Sequence, residues 1–288
     1  MPSYFLITSY GRTATVWLAN YLAQFDCMGV AHGPMPIPIN SPDAPDTSPK
    51  AQHEFLKSFG ELSLREYFAK LEEACPGRLV YGSVHAFTVQ SLSVRHQRKE
   101  RDSPNFKNLN LTRHPIHRIQ SFVNRWTHEL KISPEYHRKS NIEYSESALG
   151  EFFSKNFFAR TPDTEDPIWL FLRAVFDVLN NDKFEYSLPN IQHIEMERYT
   201  QDRESLDWIA HGISSGIVKS LDSVPYLQAM NESSSFKGNS KDSSNSTSRE
   251  IWDSWNHTKK QIFKTMAELL QVELTMYSRF KYLLDFVY

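Results

Sequence analysis

The sequence predicts an α/β protein: a single three-layer domain with a central, mainly parallel sheet flanked by helices. Short apolar runs alternate with amphipathic stretches of helical spacing along the chain. The first apolar run and the first helical pattern are separated only by a tight polar turn, the opening of a strand–turn–helix unit. No internal repeat is present, and 288 residues suit one large domain, or at most two small ones, with ample chain to bury a core.

Tyr4-Phe5-Leu6-Ile7 reads as a buried strand, followed by the turn Thr8 to Thr13. Trp17, Leu18, Tyr21, Leu22 and Phe25 then share one helical face. Residues 33–50 hold six prolines and read as a loop. Leu64 to Ala74 is helical, with Gly77 ending it, and Leu79 to Val84 is a second strand with His85 at its end. The charged segment Arg95 to Asp102 leads to a weaker strand around Leu109 to Thr112. Apolar positions Ile116, Ile119, Val123, Trp126 and Leu130 make the next helix, and Pro167 opens another, buried one through Leu179. Ile191 to Met196 is the last core strand, and a helix over about Lys259 to Leu274 closes the chain. Between them, residues 231–248 carry eight serines and read as a linker or a lid that orders on ligand binding. The expected organisation is thus one domain over 1–288 with a proline-rich loop and a Ser/Asn-rich lid.

Composition removes several function classes. Thirty-two basic and 34 acidic residues leave a formal charge of −2, so neither nucleic acid nor anionic membrane is indicated as a partner. Cys27 and Cys75 make neither a disulfide framework nor paired zinc spacing. No apolar run reaches the roughly 18 residues that span a bilayer, and Tyr4 to Ile7 is too short for a signal-peptide core. The expectation is a cytoplasmic protein, in which the Asn-x-Ser/Thr triplets at Asn110, Asn231, Asn245 and Asn256 are chance matches.

Two segments carry anion chemistry. In Ser9 to Trp17, a strand-to-helix turn presents free backbone N–H groups and the positive dipole end of a helix. Arg12 adds a fork of donors, and Thr13 and Thr15 add hydroxyls. The bland alternative has Thr13 capping the helix and Arg12 in solvent. A Walker A loop is excluded, because its second glycine and its lysine are missing. The second segment is Asn110 to Phe122, where a strand end delivers Arg113, Pro115 starts a helix, and Ser121 lies two turns on. His114 and His117 lack a nearby carboxylate partner and read as solvated or packed, so no metal is expected.

Together the two segments resemble the sulfotransferases that use 3′-phosphoadenosine 5′-phosphosulfate (PAPS). Gly11-Arg12-Thr13-Ala14-Thr15-Val16-Trp17-Leu18 is similar to the family's P-K/R-S-G-T-T-x-W-L loop around the 5′-phosphosulfate. Arg113, Pro115, Arg118 and Ser121 match its R-x-P-x-x-R-x-x-S motif for the 3′-phosphate. Gly11 stands for the usual proline, Ala14 for the loop glycine, and Arg12 for the lysine of soluble members. The resemblance covers positions 4–25 and 79–126 clearly. It implies a P-loop NTPase-like sulfotransferase fold, PAPS as co-substrate with 3′-phosphoadenosine 5′-phosphate (PAP) as product, and a small-molecule or carbohydrate acceptor.

It also implies roles. Gly11 to Trp17 would bind the 5′ side of the nucleotide, Trp17 either stacking on adenine or lying in the core. Arg113 and Ser121 would hold the 3′-phosphate. Ser235-Phe236-Lys237-Gly238 is similar to the S-F-R-K-G segment that closes over the nucleotide, with Arg249 the alternative to Lys237. Trp255-Asn256-His257 is similar to the W-K-N that follows, and Met196-Glu197-Arg198 weakly to a Y-E-D. Arg12 would stabilise charge on the bridging oxygen, electrostatically only. His85 resembles the base in K-T-H-L-P, with His32 as its rival. Two other functions stand beside this one: an ATP-dependent small-molecule kinase, and a non-catalytic nucleotide-binding protein on the same fold. The aromatic segment Phe152 to Phe158 and the proline-rich loop are expected as pocket walls for a partly apolar acceptor. The sequence sets no oligomeric state.

Overall fold

Five strands, β1 (Ser3–Thr8), β2 (Met28–His32), β3 (Val80–Val84), β4 (Phe106–Thr112) and β5 (Gln192–Glu195), form one sheet in a computed structural model of the chain. Their order is β2-β3-β1-β4-β5, and every neighbouring pair is parallel. The structure describes residues 2–11, 13–41, 54–55, 62–97, 105–132, 134–157, 166–188, 191–200, 203–218 and 246–287. Contacts within the chain group it into two units, Met1–Arg113 with Leu188–Ser235, and His114–Ser187 with Phe236–Tyr288.

The first unit holds the sheet together with α1 (Thr15–Leu22), α2 (Leu64–Ala74), α3 (Val89–Gln97), α8 (Met196–Tyr199) and α9 (Arg203–Ile213). Alternate residues of β1 serve opposite faces, as a strand requires. Phe5 and Ile7 pack with Leu18 and Leu22 of α1 and Leu206 and Ile209 of α9, whereas Leu6 packs with Tyr67, Phe68 and Leu71 of α2. Helices on both faces make three layers, which is why β1 reads as a continuous apolar run. Gly82 of β3 faces Phe5 so closely that a Cβ there would lie 2.3 Å from the ring. Ser63 begins α2 with a capping box, its hydroxyl accepting from Glu66 N–H while the Glu66 carboxylate accepts from Ser63 N–H.

The second unit is helical in its described residues: α4 (Pro115–Ile132), α5 (Pro134–Ser145), α6 (Ala148–Phe157), α7 (Pro167–Ser187), α10 (Ser248–Ser254) and α11 (His257–Leu269), with 3₁₀ turns at Leu274–Phe280 and Asp285–Val287. Prolines occupy the first positions of α4, α5 and α7, where a missing N–H costs nothing. Its core is aromatic, with Trp169, Phe171, Phe153, Phe263 and Tyr277 each fully buried.

Several expectations shift. β2 was not foreseen: five residues including a glycine carry no pattern of their own, and only pairing with β3 makes them a strand. The strand expected at Leu109–Thr112 begins at Phe106 and is seven residues long. The last helix stops at Leu269, short of the expected Leu274. Phe153, expected to line a pocket, is wholly buried against Tyr144, Trp169 and Phe176. Asn110 is buried inside β4 and cannot accept a glycan. No helix among the described residues is long and apolar enough to cross a membrane.

Candidate active site

The connection after β1 leads to β2 on one side of the sheet, while that after its neighbour β4 leads to β5 on the other. Loops leaving adjacent strands in opposite directions part at the carboxyl ends, and ligands of open parallel sheets bind there. The turn between β1 and α1 lies at that place. Ser9 organises it: its Oγ accepts from Gly11 N–H at 2.8 Å and shares a hydrogen bond with Thr13 Oγ1 at 2.6 Å. Gly11 has φ 100°, a conformation open to glycine and strained for other residues. The Thr13 carbonyl accepts from the Tyr199 hydroxyl, which ties the turn to α8.

Ala14 precedes α1 in the left-handed region, φ 53° and ψ 36°, with no side-chain cap on the helix. A non-glycine residue there costs about 1–2 kcal/mol, and strain of this kind gathers at binding sites. No side-chain cap from Ala14 therefore serves the first N–H groups of α1, an arrangement that favours an anion. Arg12 lies outside the described residues. Trp17 is in the core, stacked near Tyr21 at 5.8 Å and Tyr199 at 6.1 Å.

Two histidines stand beside this turn. His32 ends β2, paired with Val84 of β3, and His85 is the next residue after Val84, so sheet register brings their rings to 5.9 Å. His85 has φ 69° and donates its backbone N–H to Ile7 O at 2.7 Å. Its Nδ1 lies 2.9 Å from the Ser9 carbonyl oxygen. A carbonyl only accepts, so Nδ1 carries the hydrogen and Nε2 of the neutral ring keeps its lone pair. Burial lowers the His85 pKa from its ordinary value, against the opposing pull of the Ser9 bond. His32 is only 5% exposed, with Nε2 at 3.1 Å from Thr15 Oγ1. Burial first, and then the neighbouring His85, push its pKa down to about 3.

The second motif separates into residues of different use. Arg113 follows β4 in the sheet unit, where its charge opposes the rise that burial imposes on the Tyr199 phenol. In the helical unit, Arg118 is fully buried and bonds Asp182 Oδ1 at 2.7 Å, while the Tyr277 hydroxyl donates to Oδ2 at 2.8 Å. Arg118 therefore joins α4 to α7. Burial pushes the Asp182 carboxyl up, against the pull of Arg118 and Tyr277. Ser121 is buried one turn further along α4. His114 and His117 pack edge to face at 5.7 Å, and His114 also meets Tyr282. Among the described residues no group of His, Cys, Asp and Glu could hold a metal ion.

Phe236, Lys237 and Gly238 lie outside the described residues. Arg249 is exposed on α10, 3.9 Å from Asp253. Trp255 is buried against Phe171, its indole N–H on Gln120 Oε1 at 2.8 Å, and Asn256 caps α11. The sequence reading placed Ser9 in the turn without giving it a role, and it missed Tyr199. A serine two residues after an apolar run is a weak signal for Ser9, and for Tyr199 there is none short of the packed fold.

No model of a known protein family matches the chain, and no curated protein matches it in sequence. Among solved structures it is similar to mouse sulfotransferase SULT7A1 complexed with PAP, at 14% identity and TM-score 0.47, over 98% of this chain and 89% of that one. It is similar to the sulfotransferase domain from the curacin biosynthetic pathway at 17% identity and TM-score 0.47, over 95% and 99% of the two chains. A sulfotransferase from Alicyclobacillus acidocaldarius matches at 15% identity and TM-score 0.37, over 96% and 99%.

Proposed function

We propose that the protein transfers the sulfuryl group of PAPS to an acceptor hydroxyl of an alcohol, phenol or sugar. The observation that carries the reading is the double use of Ser9. Its hydroxyl braces the turn whose helix end suits an anion, and its carbonyl fixes His85 with Nε2 ready to accept a proton. Anion seat and base thus share one residue.

In this mechanism the acceptor oxygen attacks sulfur in line with the bond to the nucleotide phosphate. A new O–S bond forms as the bridging S–O bond breaks, PAP leaves with the electron pair, and the acceptor proton passes to His85 Nε2. Charge gathers on the bridging oxygen, where the first N–H groups of α1 and the proposed Arg12 guanidinium would stabilise it. By the motif, Arg113 and Ser121 are proposed for the 3′-phosphate and Phe236, Lys237 and Gly238 for closure over the nucleotide. Arg118, already bound to Asp182, is assigned a structural part.

Calorimetric titration of the full chain with PAP, ATP and 5′-AMP tests the reading. Micromolar binding of PAP that is lost without the 3′-phosphate is the expected result. Absence of PAP binding, or a preference for ATP, would overturn it and favour the kinase.

A further inference from the structure

We infer that His32 is a positioning residue: its Nε2–H donates to Thr15 Oγ1, so that the Thr15 hydroxyl proton is directed to an anion at the start of α1. This deepens the reading above and rests on it for the identity of that anion, the 5′-phosphate of the nucleotide.

Three observations carry the inference. Thr15 is the first residue of α1, directly after Ala14, which supplies no side-chain cap, so its hydroxyl belongs to a helix start that suits an anion. His32 comes from a different strand to reach that hydroxyl, at 3.1 Å. Its Nδ1 is enclosed, with no hydrogen-bond partner among the described residues. These fix the tautomer. Were the hydrogen on Nδ1, a buried N–H would go unsatisfied and Thr15 would have to donate inward to Nε2. With the hydrogen on Nε2, only a lone pair at Nδ1 is unmet, and Thr15 accepts from His32 while its own proton stays available. Orphaned buried donors are the rarer of the two, and a hydroxyl both accepts and donates.

The same geometry separates the two histidines. The lone pair of His32 is enclosed, whereas Nε2 of His85 makes no hydrogen bond to a described residue. Burial also keeps the His32 ring neutral. A ring that titrates far below neutrality with its lone pair shut in is a poor proton acceptor for a substrate. His32 therefore acts through Thr15, and the base is left to His85.

Two measurements test this. Two-bond nitrogen–proton correlation spectra of the wild-type protein should show His32 as the Nε2–H tautomer, and an Nδ1–H signal would overturn the assignment whatever the ligand. Calorimetry with PAP and with adenosine 3′-monophosphate, which lacks the 5′-phosphate, then reads the coupling. Thr15→Val should weaken PAP about tenfold, the scale of a hydrogen bond to a charged group. His32→Leu should weaken it several-fold, and the double variant should be no weaker than Thr15→Val. Adenosine 3′-monophosphate should be unaffected, and His32→Gln, which keeps an N–H donor, should bind PAP within about twofold of wild type by the same hydrogen-bond argument. Additive losses, or equal weakening of the 3′-monophosphate, would sink the positioning role while leaving PAPS use intact. Failure of the wild type to bind PAP would remove the nucleotide reading and the assigned anion with it.

Discussion

Both units of the molecule bury polar side chains, and they do it to opposite ends. In the helical unit the buried Asp182 carboxylate is met within the protein, receiving Arg118 on one oxygen and Tyr277 on the other. Arg173, half-buried, lies over the rings of Trp126 and Tyr144 at 4.6 and 4.2 Å and donates to Asn141 Oδ1. In the sheet unit the polarity at the end of β1 is left open. Ser9, Thr13, Thr15 and His32 are buried and bonded to one another or to backbone, yet α1 starts without a side-chain cap and His85 keeps a lone pair. Satisfied buried networks hold elements together, whereas unmet donors at a helix start suit an anion. Within one sequence motif, Arg118 is thus engaged with Asp182, while Arg113 is the residue proposed for the 3′-phosphate.

The Arg118–Asp182 pair should give the largest effect on stability. Asp182→Ala leaves the Arg118 charge buried without its partner and should cost about 3–5 kcal/mol, read by denaturant unfolding. A loss below about 1 kcal/mol, the size of an exposed pair, would mean that the site is wetter than its burial implies.

On the open side, the proposed Arg12 should matter to chemistry and little to folding. Arg12→Ala should lower transfer from PAPS by about 10²–10³-fold with an unchanged melting temperature. Wild-type turnover in that variant would remove the loop from the mechanism. His85→Ala should lose about 10²-fold or more in turnover while binding PAP as the wild type does. An active variant would move the base elsewhere.

Acidification gives the smallest and most general effect. His32 and His193 are pushed down to about 3 and about 4, in both cases first by burial, from an ordinary value of 6.5. Below 6.5 the unfolded chain therefore binds protons that the folded chain refuses. Stability is full above that pH and should fall as the pH drops towards 4 and then 3. His32, the more deeply buried ring, should contribute roughly 2 kcal/mol of loss between pH 6.5 and about 5, and the half-buried His193 less. Melting curves across that range, repeated with His193→Gln, should show a shallower slope in the variant. An unchanged slope would show that His193 is not held neutral.

What the sequence determined by itself is local. Apolar run, polar turn and helical face placed β1, the turn and α1 to within a few residues, and the proline at Pro167 marked a helix start that the structure keeps. These signals survive because each depends on neighbours in the chain. The ingredients of the proposed anion seat were legible for the same reason, since the helix start and its hydroxyls lie within ten residues. The tertiary structure decided the rest. Only parallel pairing makes Met28–His32 a strand and sets His32 against Val84, thereby bringing His32 near His85 and onto Thr15. Only the packed fold sends Tyr199 to the Thr13 carbonyl across 186 positions, and Arg118 to Asp182 across 64. A hydrogen bond between distant positions leaves no periodicity in sequence, because its partners are chosen by the register and packing of whole elements.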